Sequence, residues 1–213
     1  MASALALTFD DGPHPDGTRG VLEALRAFDA RATFFIWGQR GAVYPDLVSE
    51  IVAHGHSVQP HCWRHVSHHD LEPDAIRADL DAVMALLGRL GAPEPLLWRP
   101  PYGHLRRGAT RAVAAECGLA LVGWTVDPHD FAGTVAPRMY DQVAAALAGD
   151  DSPVVVLLHD GHREHGLPLR RRDHANTCEL VRMLLARHAA RCITVPGAVA
   201  EALAEGPSAP PPP

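Results

Sequence analysis

Two adjacent carboxylates, Asp10 and Asp11, close a short apolar run and lead into Gly12-Pro13. Asp-Gly-Pro is a plain turn signal. At a metal site, however, neighbouring carboxylates can divide the labour, one binding the ion and the other taking a proton from water. Downstream, His61 and His65 stand four apart, the spacing that sets two imidazoles on one face of a helical turn. His68 and His69 offer alternative pairings with His65 in the same stretch. Two imidazoles and one carboxylate, with positions left open, make a plausible catalytic site for zinc or another divalent ion. Three further clusters carry usable chemistry: Arg99-Pro-Pro-Tyr102, Asp127-Pro-His-Asp130 with Phe131, and Leu157-Leu-His159. Taken singly, Arg99 reads as a structural ion pair and Asp130 as a turn residue. Taken together, the clusters supply what amide hydrolysis needs: an activated water, an oxyanion partner and an acid for a poor leaving group.

These residues must be brought together by the elements between them. Short apolar, β-favouring runs recur at residues 4–9, 32–36, 56–58, 96–98, 119–124, 154–158 and 192–195. Helical periodicity lies between them. Val21, Leu22, Leu25 and Phe28 share a face, as do Ile76, Leu80, Val83, Leu86 and Leu87; Val143, Ala144 and Leu147; and Leu180, Val181, Leu184 and Leu185. Strands alternating with helices predict an α/β fold with parallel pairing, and about seven such units predict a barrel or a doubly wound sheet. Each polar cluster follows a predicted strand. In a parallel barrel all of those C-terminal ends share one mouth, where such folds keep their active sites.

Composition narrows the chemistry from the other side. All 19 basic residues are arginine, so no P-loop lysine and no Schiff-base lysine is available. A net charge of −6 argues against a nucleic-acid partner. The local exception is Arg170, Arg171 and Arg172, read as a solvated loop or as a contact for an anionic group on a substrate. Fourteen histidines point toward metal or proton chemistry. Cys62, Cys117, Cys178 and Cys192 form no CxxC pair, which fits reduced thiols. No apolar run approaches the roughly 20 residues that span a bilayer, so no membrane partner is expected. The opening residues carry neither a basic n-region nor an apolar h-region, and the expected location is the cytoplasm. One domain is expected over residues 1–204, followed by a proline-rich, disordered tail over 205–213.

In this order, the five clusters resemble those of the polysaccharide deacetylase family, the NodB-type carbohydrate esterases of family 4. Thr8-Phe-Asp-Asp-Gly-Pro13 resembles the first motif and His61-x-x-x-His65 the second. Arg99-Pro-Pro-Tyr102, Asp127-Pro-His-Asp130 with Phe131, and Leu157-Leu-His159 resemble the third to fifth. The resemblance implies a single-domain, distorted (β/α) barrel of seven or eight units, with its active site at the strand C-terminal mouth. It implies a divalent ion (zinc, or another such as cobalt or nickel) bound by Asp11, His61 and His65. It also implies Asp10 as general base, and the backbone N–H of Tyr102 as an oxyanion donor. His159 would be the acid, Arg99 the partner of Asp10, and Asp130 the partner that keeps His159 cationic. Leu157 and Phe131 would wall a pocket for the acetyl methyl, with Pro101 and Tyr102 beside it and Arg170, Arg171 and Arg172 on a substrate loop.

The chain departs from this pattern in three places. Pro60 and Cys62 flank His61 where the family usually has asparagine and a small hydroxyl residue. A hydroxyl brace is thus missing, a change in metal affinity or preference is expected, and Cys62 is a candidate for oxidation. Phe131 replaces a tryptophan common at the end of the fourth motif. The segment 160–176 is longer and more basic than the usual connection. The leading expectation is a metal-dependent deacetylase removing an N-acetyl group from an amino sugar or similar small soluble intermediate. The alternatives are a chitooligosaccharide or peptidoglycan deacetylase whose export segment is missing, a cyclic-imide or ureide amidohydrolase, and a non-catalytic, metal-stabilised carbohydrate-binding domain. Asp10 and His159, unnecessary for binding alone, argue against the last.

Overall fold

The structure is a computed structural model and describes residues 3–105, 108–149, 151–161 and 173–195. Its first strand, β1 (Leu5–Asp10), is buried along its whole length. Because side chains alternate across a strand, Leu5, Leu7 and Phe9 enter an outer core shared with the helices. Ala6 instead joins an inner cluster with Phe35, Leu97, Val122, Val155 and Val195. Thr8 and Asp10 continue that inner face, so the period of two alone delivers Asp10 to the inside at the strand's C-terminal end.

Strands β2 (Thr33–Trp37), β3 (Ser57–Cys62) and β6 (Val154–His159) join β1 in a parallel sheet of order β3-β2-β1-β6. In this register Asp10 pairs directly with His159. A second, two-stranded parallel piece pairs β4 (Leu97–Trp98) with β5 (Ala120–Leu121). Two seams connect the pieces. On one side the Thr125 and Val126 amides donate to the Val155 carbonyl, and the Leu157 amide donates to the Val126 carbonyl. On the other, side chains replace the backbone ladder. Gln59 Oε1 accepts the amides of Leu96 and Leu97 at 3.0 and 2.9 Å, and the Trp98 indole donates to the His61 carbonyl at 3.0 Å. The result is the distorted barrel, with every strand end named above at one mouth.

Four helices form where apolar spacing predicted them: α1 (Gly17–Ala27), α4 (Pro73–Arg89), α6 (Ala136–Leu147) and α7 (Asp173–His188). The shorter α2 (Gly38–Val43), α3 (Pro45–Ala53) and α5 (Ala109–Glu116) were not foreseen. Prolines open α3 and α4 at positions where the missing N–H costs no intrahelical bond. Ile76, Leu80 and Val83 of α4 are fully buried, so truncating Ile76 or Leu80 to alanine costs about 2–5 kcal/mol.

Two expected strands come out shorter. The run 119–124 pairs only over Ala120–Leu121: the last ladder bond runs from the Val122 amide to the Trp98 carbonyl, Pro100 and Pro101 have no N–H to continue it, and the carbonyls of Val122 and Gly123 accept from Arg99 instead. The run 192–195 makes an isolated bridge, Cys192 to Leu5, and Val195 fills the inner cluster. Among the described residues, no helix is long and apolar enough to cross a membrane.

Candidate active site

Asp11 is the first residue after β1 and has φ 69, in the left-handed region that non-glycine residues seldom enter. Its carbonyl accepts from Arg40 at 2.8 Å, and the following Gly12 carbonyl accepts from the Trp37 amide at 2.9 Å. These anchors hold the turn so that the Asp11 carboxylate faces His61 and His65. The two histidines do not share a helical turn, as their spacing suggested. His61 lies on the inner face of β3, a bend follows at Trp63 and Arg64, and the bend returns His65 to the same point.

Asp11, His61 and His65 are all buried, and one donor atom from each lies within 4.8 Å of the others. Asp11 Oδ1 is 3.0 Å from His65 Nε2 and 3.4 Å from His61 Nε2. His61 Nδ1 donates to the Arg99 carbonyl at 2.6 Å, which leaves Nε2 with its lone pair turned toward a carboxylate. Neither Asp11 Oδ1 nor His61 Nε2 has a hydrogen-bond partner, although both are buried. Two acceptors aimed at one another without a proton between them are costly, and a cation removes the conflict. Burial alone would raise the Asp11 carboxyl's pKa. The neighbouring imidazoles of His65, His61 and His159 outweigh burial and hold it well below the usual carboxylate range. The ligand is thus ready as an anion. This donor set, one oxygen and two imidazole nitrogens, fits a divalent metal, with the second nitrogen of His61 oriented by a carbonyl as metal-ligating imidazoles usually are.

Beside this cluster, at the end of β1, stands Asp10, whose Oδ1 accepts from Arg99 Nη1 at 2.9 Å. Arg99 has no exposed surface. It also donates to Thr8 Oγ1 (2.7 Å), to the Gly123 carbonyl (2.7 Å) and to the Val122 carbonyl (3.4 Å), and its guanidinium stacks 4.3 Å from the Phe35 ring. A planar, multiply donating group is needed for such a set, and a lysine could not supply it. Its register partner on β6, His159, is clamped by Asp130: Nδ1 donates to Oδ1 and the backbone N–H to Oδ2, both at 2.8 Å. Burial favours the neutral ring, but Asp130, with smaller contributions from Asp11 and Asp10, raises the His159 pKa to about 9.

The remaining expected residues fall around this centre. Leu157 lies on the same inner face of β6 as His159 and is buried. The ring of Phe131, 36% exposed, meets His159 edge-on at 5.3 Å. Pro101 is buried, and Tyr102 has φ 60 in the tight turn after it, with its ring edge-on to His65 at 4.5 Å. Arg170, Arg171 and Arg172 lie outside the described residues, as does the tail from residue 205. The expected oxidation of Cys62 is not supported. The thiol is 1% exposed, and burial, with the charges of Asp11, Asp79 and Asp10, pushes its pKa well above the ordinary value.

Sequence reasoning missed three side chains. Thr177 donates to Asp130 Oδ2 at 2.9 Å. Thr18 donates to the buried Asp160 at 2.5 Å, tying α1 to the end of β6. Asp79 of α4 accepts the amides of Trp63 and Arg64. A signal for two of them was present: Thr177 precedes Leu180, Val181 and Leu184, and Asp79 sits among Ile76, Leu80 and Val83. Each is a polar residue on an apolar helical stripe.

With a buried three-donor cluster at the mouth of a parallel barrel, flanked by a paired carboxylate and a clamped histidine, the site defines a metal-dependent hydrolase. Comparison with known proteins makes the assignment specific. Residues 2–122 match the polysaccharide deacetylase family, and the chain belongs to that family. A chitooligosaccharide deacetylase of Bradyrhizobium sp. (strain ANU 289) is 38% identical over 157 residues, covering 73% of this chain and 70% of the relative. A peptidoglycan-N-acetylglucosamine deacetylase of Listeria monocytogenes is 34% identical over 75% of this chain; the match spans 33% of that longer protein. Among solved structures, a family 4 carbohydrate esterase from Streptomyces lividans in complex with acetate superposes with a TM-score of 0.80 at 27% identity, covering 94% of this chain and 97% of that one.

Proposed function

We propose that this protein is a divalent-metal-dependent N-deacetylase that releases acetate from N-acetylglucosamine units of a saccharide, with a chitooligosaccharide as the favoured substrate class. The observation that carries the reading is the arrangement of Asp10 and His159. They are register partners on adjacent strands, next to the three-donor cluster, and each is held by a buried partner of opposite charge. The names of the relatives supply the substrate class, and the rhizobial protein, matched over most of both chains, favours the oligosaccharide.

Asp11, His61 and His65 would hold the ion, with zinc the leading candidate and cobalt or nickel the alternatives. A divalent ion in that position polarises the amide carbonyl and lowers the energy needed to deprotonate a nearby water. Asp10 acts as the base. Arg99 fixes its Oδ1, leaving Oδ2 to take the proton. His159, protonated at neutral pH, delivers a proton to the departing amine, and Asp130 keeps the ring turned so that Nε2 faces the site. The turn at Tyr102 supplies a backbone N–H for the oxyanion, a contribution typically worth about 2.7–4 kcal/mol. Leu157 and Phe131 enclose the acetyl methyl. The same set speaks against a binding-only domain, which has no use for a paired base and acid.

The deciding measurement is acetate release across chitooligosaccharides, peptidoglycan fragments, free N-acetyl amino sugars and N-acetyl amino acids. Turnover that rises with oligosaccharide length supports the proposal. Turnover confined to monosaccharides moves the substrate to a small soluble intermediate, and no acetate from any of them overturns the deacetylase reading.

A further inference from the structure

We infer that Asp79 is a positioning residue for the metal site, doing from helix α4 the work that a hydroxyl beside His61 would otherwise do. The inference rests on the assignment of Asp11, His61 and His65 as metal ligands.

The bend between the two histidine ligands consists of Cys62, Trp63 and Arg64, and its backbone is held from both sides. On the amide side, Asp79 Oδ2 accepts the Trp63 N–H at 2.6 Å and Oδ1 accepts the Arg64 N–H at 3.0 Å. On the carbonyl side, the Trp63 oxygen accepts from the Trp37 indole at 3.0 Å and from the Gln39 amide at 3.3 Å. A carboxylate receiving two neighbouring amides is a charge-assisted, bidentate clamp that fixes direction as well as distance. Asp79 is 6% exposed and lies within the apolar stripe of α4. A buried carboxylate there is unfavourable unless both oxygens are satisfied, and the bend satisfies them. Arg64 Nε, 3.5 Å from Oδ1 on a side chain that is 55% exposed, adds little.

Residue 62 is a cysteine, whose thiol is a much weaker hydrogen-bonding group than the hydroxyl that would otherwise stand there. His61 is fixed independently, through Nδ1 and the Arg99 carbonyl. The element that sets where His65 returns is therefore the 63–64 bend, and Asp79 is what closes it. Without the clamp, the distance between the His61 and His65 nitrogens is no longer set before the ion arrives. The binding free energy must then supply the ordering.

The test is titration of metal-free protein with Zn2+ against a competing chelator, and with Co2+ followed by its visible absorption. It uses the wild type, Asp79→Asn, Asp79→Ala, and Asp81→Ala as an exposed control on the same helix. Removing partners of this kind typically weakens metal affinity about 10–100-fold, and that loss is expected for Asp79→Ala, together with an altered Co2+ spectrum. Asp79→Asn keeps one accepting oxygen and should fall between, while Asp81→Ala should match the wild type. At saturating metal, Asp79→Asn should recover most of its kcat. If both Asp79 variants bind as tightly as the wild type, with only a lower melting temperature, the inference is overturned. If Asp79→Ala does not fold, the Kd of Asp79→Asn decides. A His61→Ala protein that binds Zn2+ as well as the wild type would instead remove the metal site itself, and the inference with it.

Discussion

Asp130 holds His159 at two points, the ring through Oδ1 and the backbone through Oδ2, so neither rotation of the imidazole nor slippage of the end of β6 can separate the pair. Thr177 donates to Oδ2 as well, and Asp130 is 1% exposed. A buried carboxylate with its oxygens engaged in this way acts as a fixed negative charge. That charge is the main reason His159 remains a cation to about pH 9 in spite of its burial.

Replacing that charge should therefore move a pH limb. Asp130→Asn should lower the basic limb of kcat/KM and reduce the maximum by about 10²–10⁴, the usual worth of one acid–base group. Asp11 and Asp10 also attract His159 but face the metal position, so the limb of the loaded enzyme should lie below about 9. A pH–rate profile unchanged in Asp130→Asn would show that the pair does not govern proton delivery.

The same pair links stability to pH. The His159 pKa is higher in the folded protein, at about 9, than the 6.5 of an unperturbed imidazole. Its contribution is thus complete below pH 6.5 and is lost as pH rises toward 9, amounting to about 3 kcal/mol at 1.36 kcal/mol per pH unit. Urea unfolding of metal-free protein across that window should show the decline in the wild type, and a smaller one in Asp130→Asn.

Metal removal should abolish turnover and return of one divalent ion per chain should restore it, with His61→Ala and His65→Ala both failing to retain the ion. Affinity should fall in acid, because imidazole must be unprotonated to bind a metal. Asp10→Asn should keep the ion and lose turnover. Elemental analysis alongside acetate release checks each, and full activity in metal-free protein would discard the assignment.

Arg99→Ala should be the most damaging single change near the site, because it strands Asp10 as a buried carboxylate and leaves Thr8 and two carbonyls without their donor. Breaking a buried pair from one side costs about 3–5 kcal/mol. Arg99→Lys retains the charge but lacks the planar fork, so denaturation midpoints should fall in the order wild type, lysine, alanine. A lysine variant as stable as the wild type would mean that the fork geometry is unimportant.

Cys62 should resist alkylation in the native protein and react only on unfolding, given its burial and raised pKa. Mass spectrometry after brief iodoacetamide treatment gives the answer, and rapid native labelling would contradict the packing described for β3.

Much of the site was legible because it is local. Asp10, Asp11, His61, Arg99 and His159 each follow or end an apolar run, and the period of two fixes which of them faces inward. The (β/α) order of elements was legible for the same reason, since α1, α4, α6 and α7 announce themselves through periodicity. What escaped depends on partners distant in sequence. The 63–64 bend, which makes the His61 and His65 spacing work without a helix, needs Asp79, some fifteen residues on. The Val122 and Gly123 carbonyls, beyond the reach of a ladder that ends at Pro100, find their donor in the Arg99 guanidinium. Residues 192–195 have strand-like composition yet make one bridge, a choice set by the space left inside the barrel.

The seam between β3 and β4 has a mechanical meaning. Its amides at Leu96 and Leu97 rest on a single side-chain oxygen, that of Gln59, where β1 and β6 share a full backbone ladder. Such a joint lacks the continuous backbone ladder that joins β1 to β6. His61 and Arg99 stand on its opposite banks, joined by one hydrogen bond. An ion that immobilised His61 would therefore also tie the two pieces of sheet together across this seam.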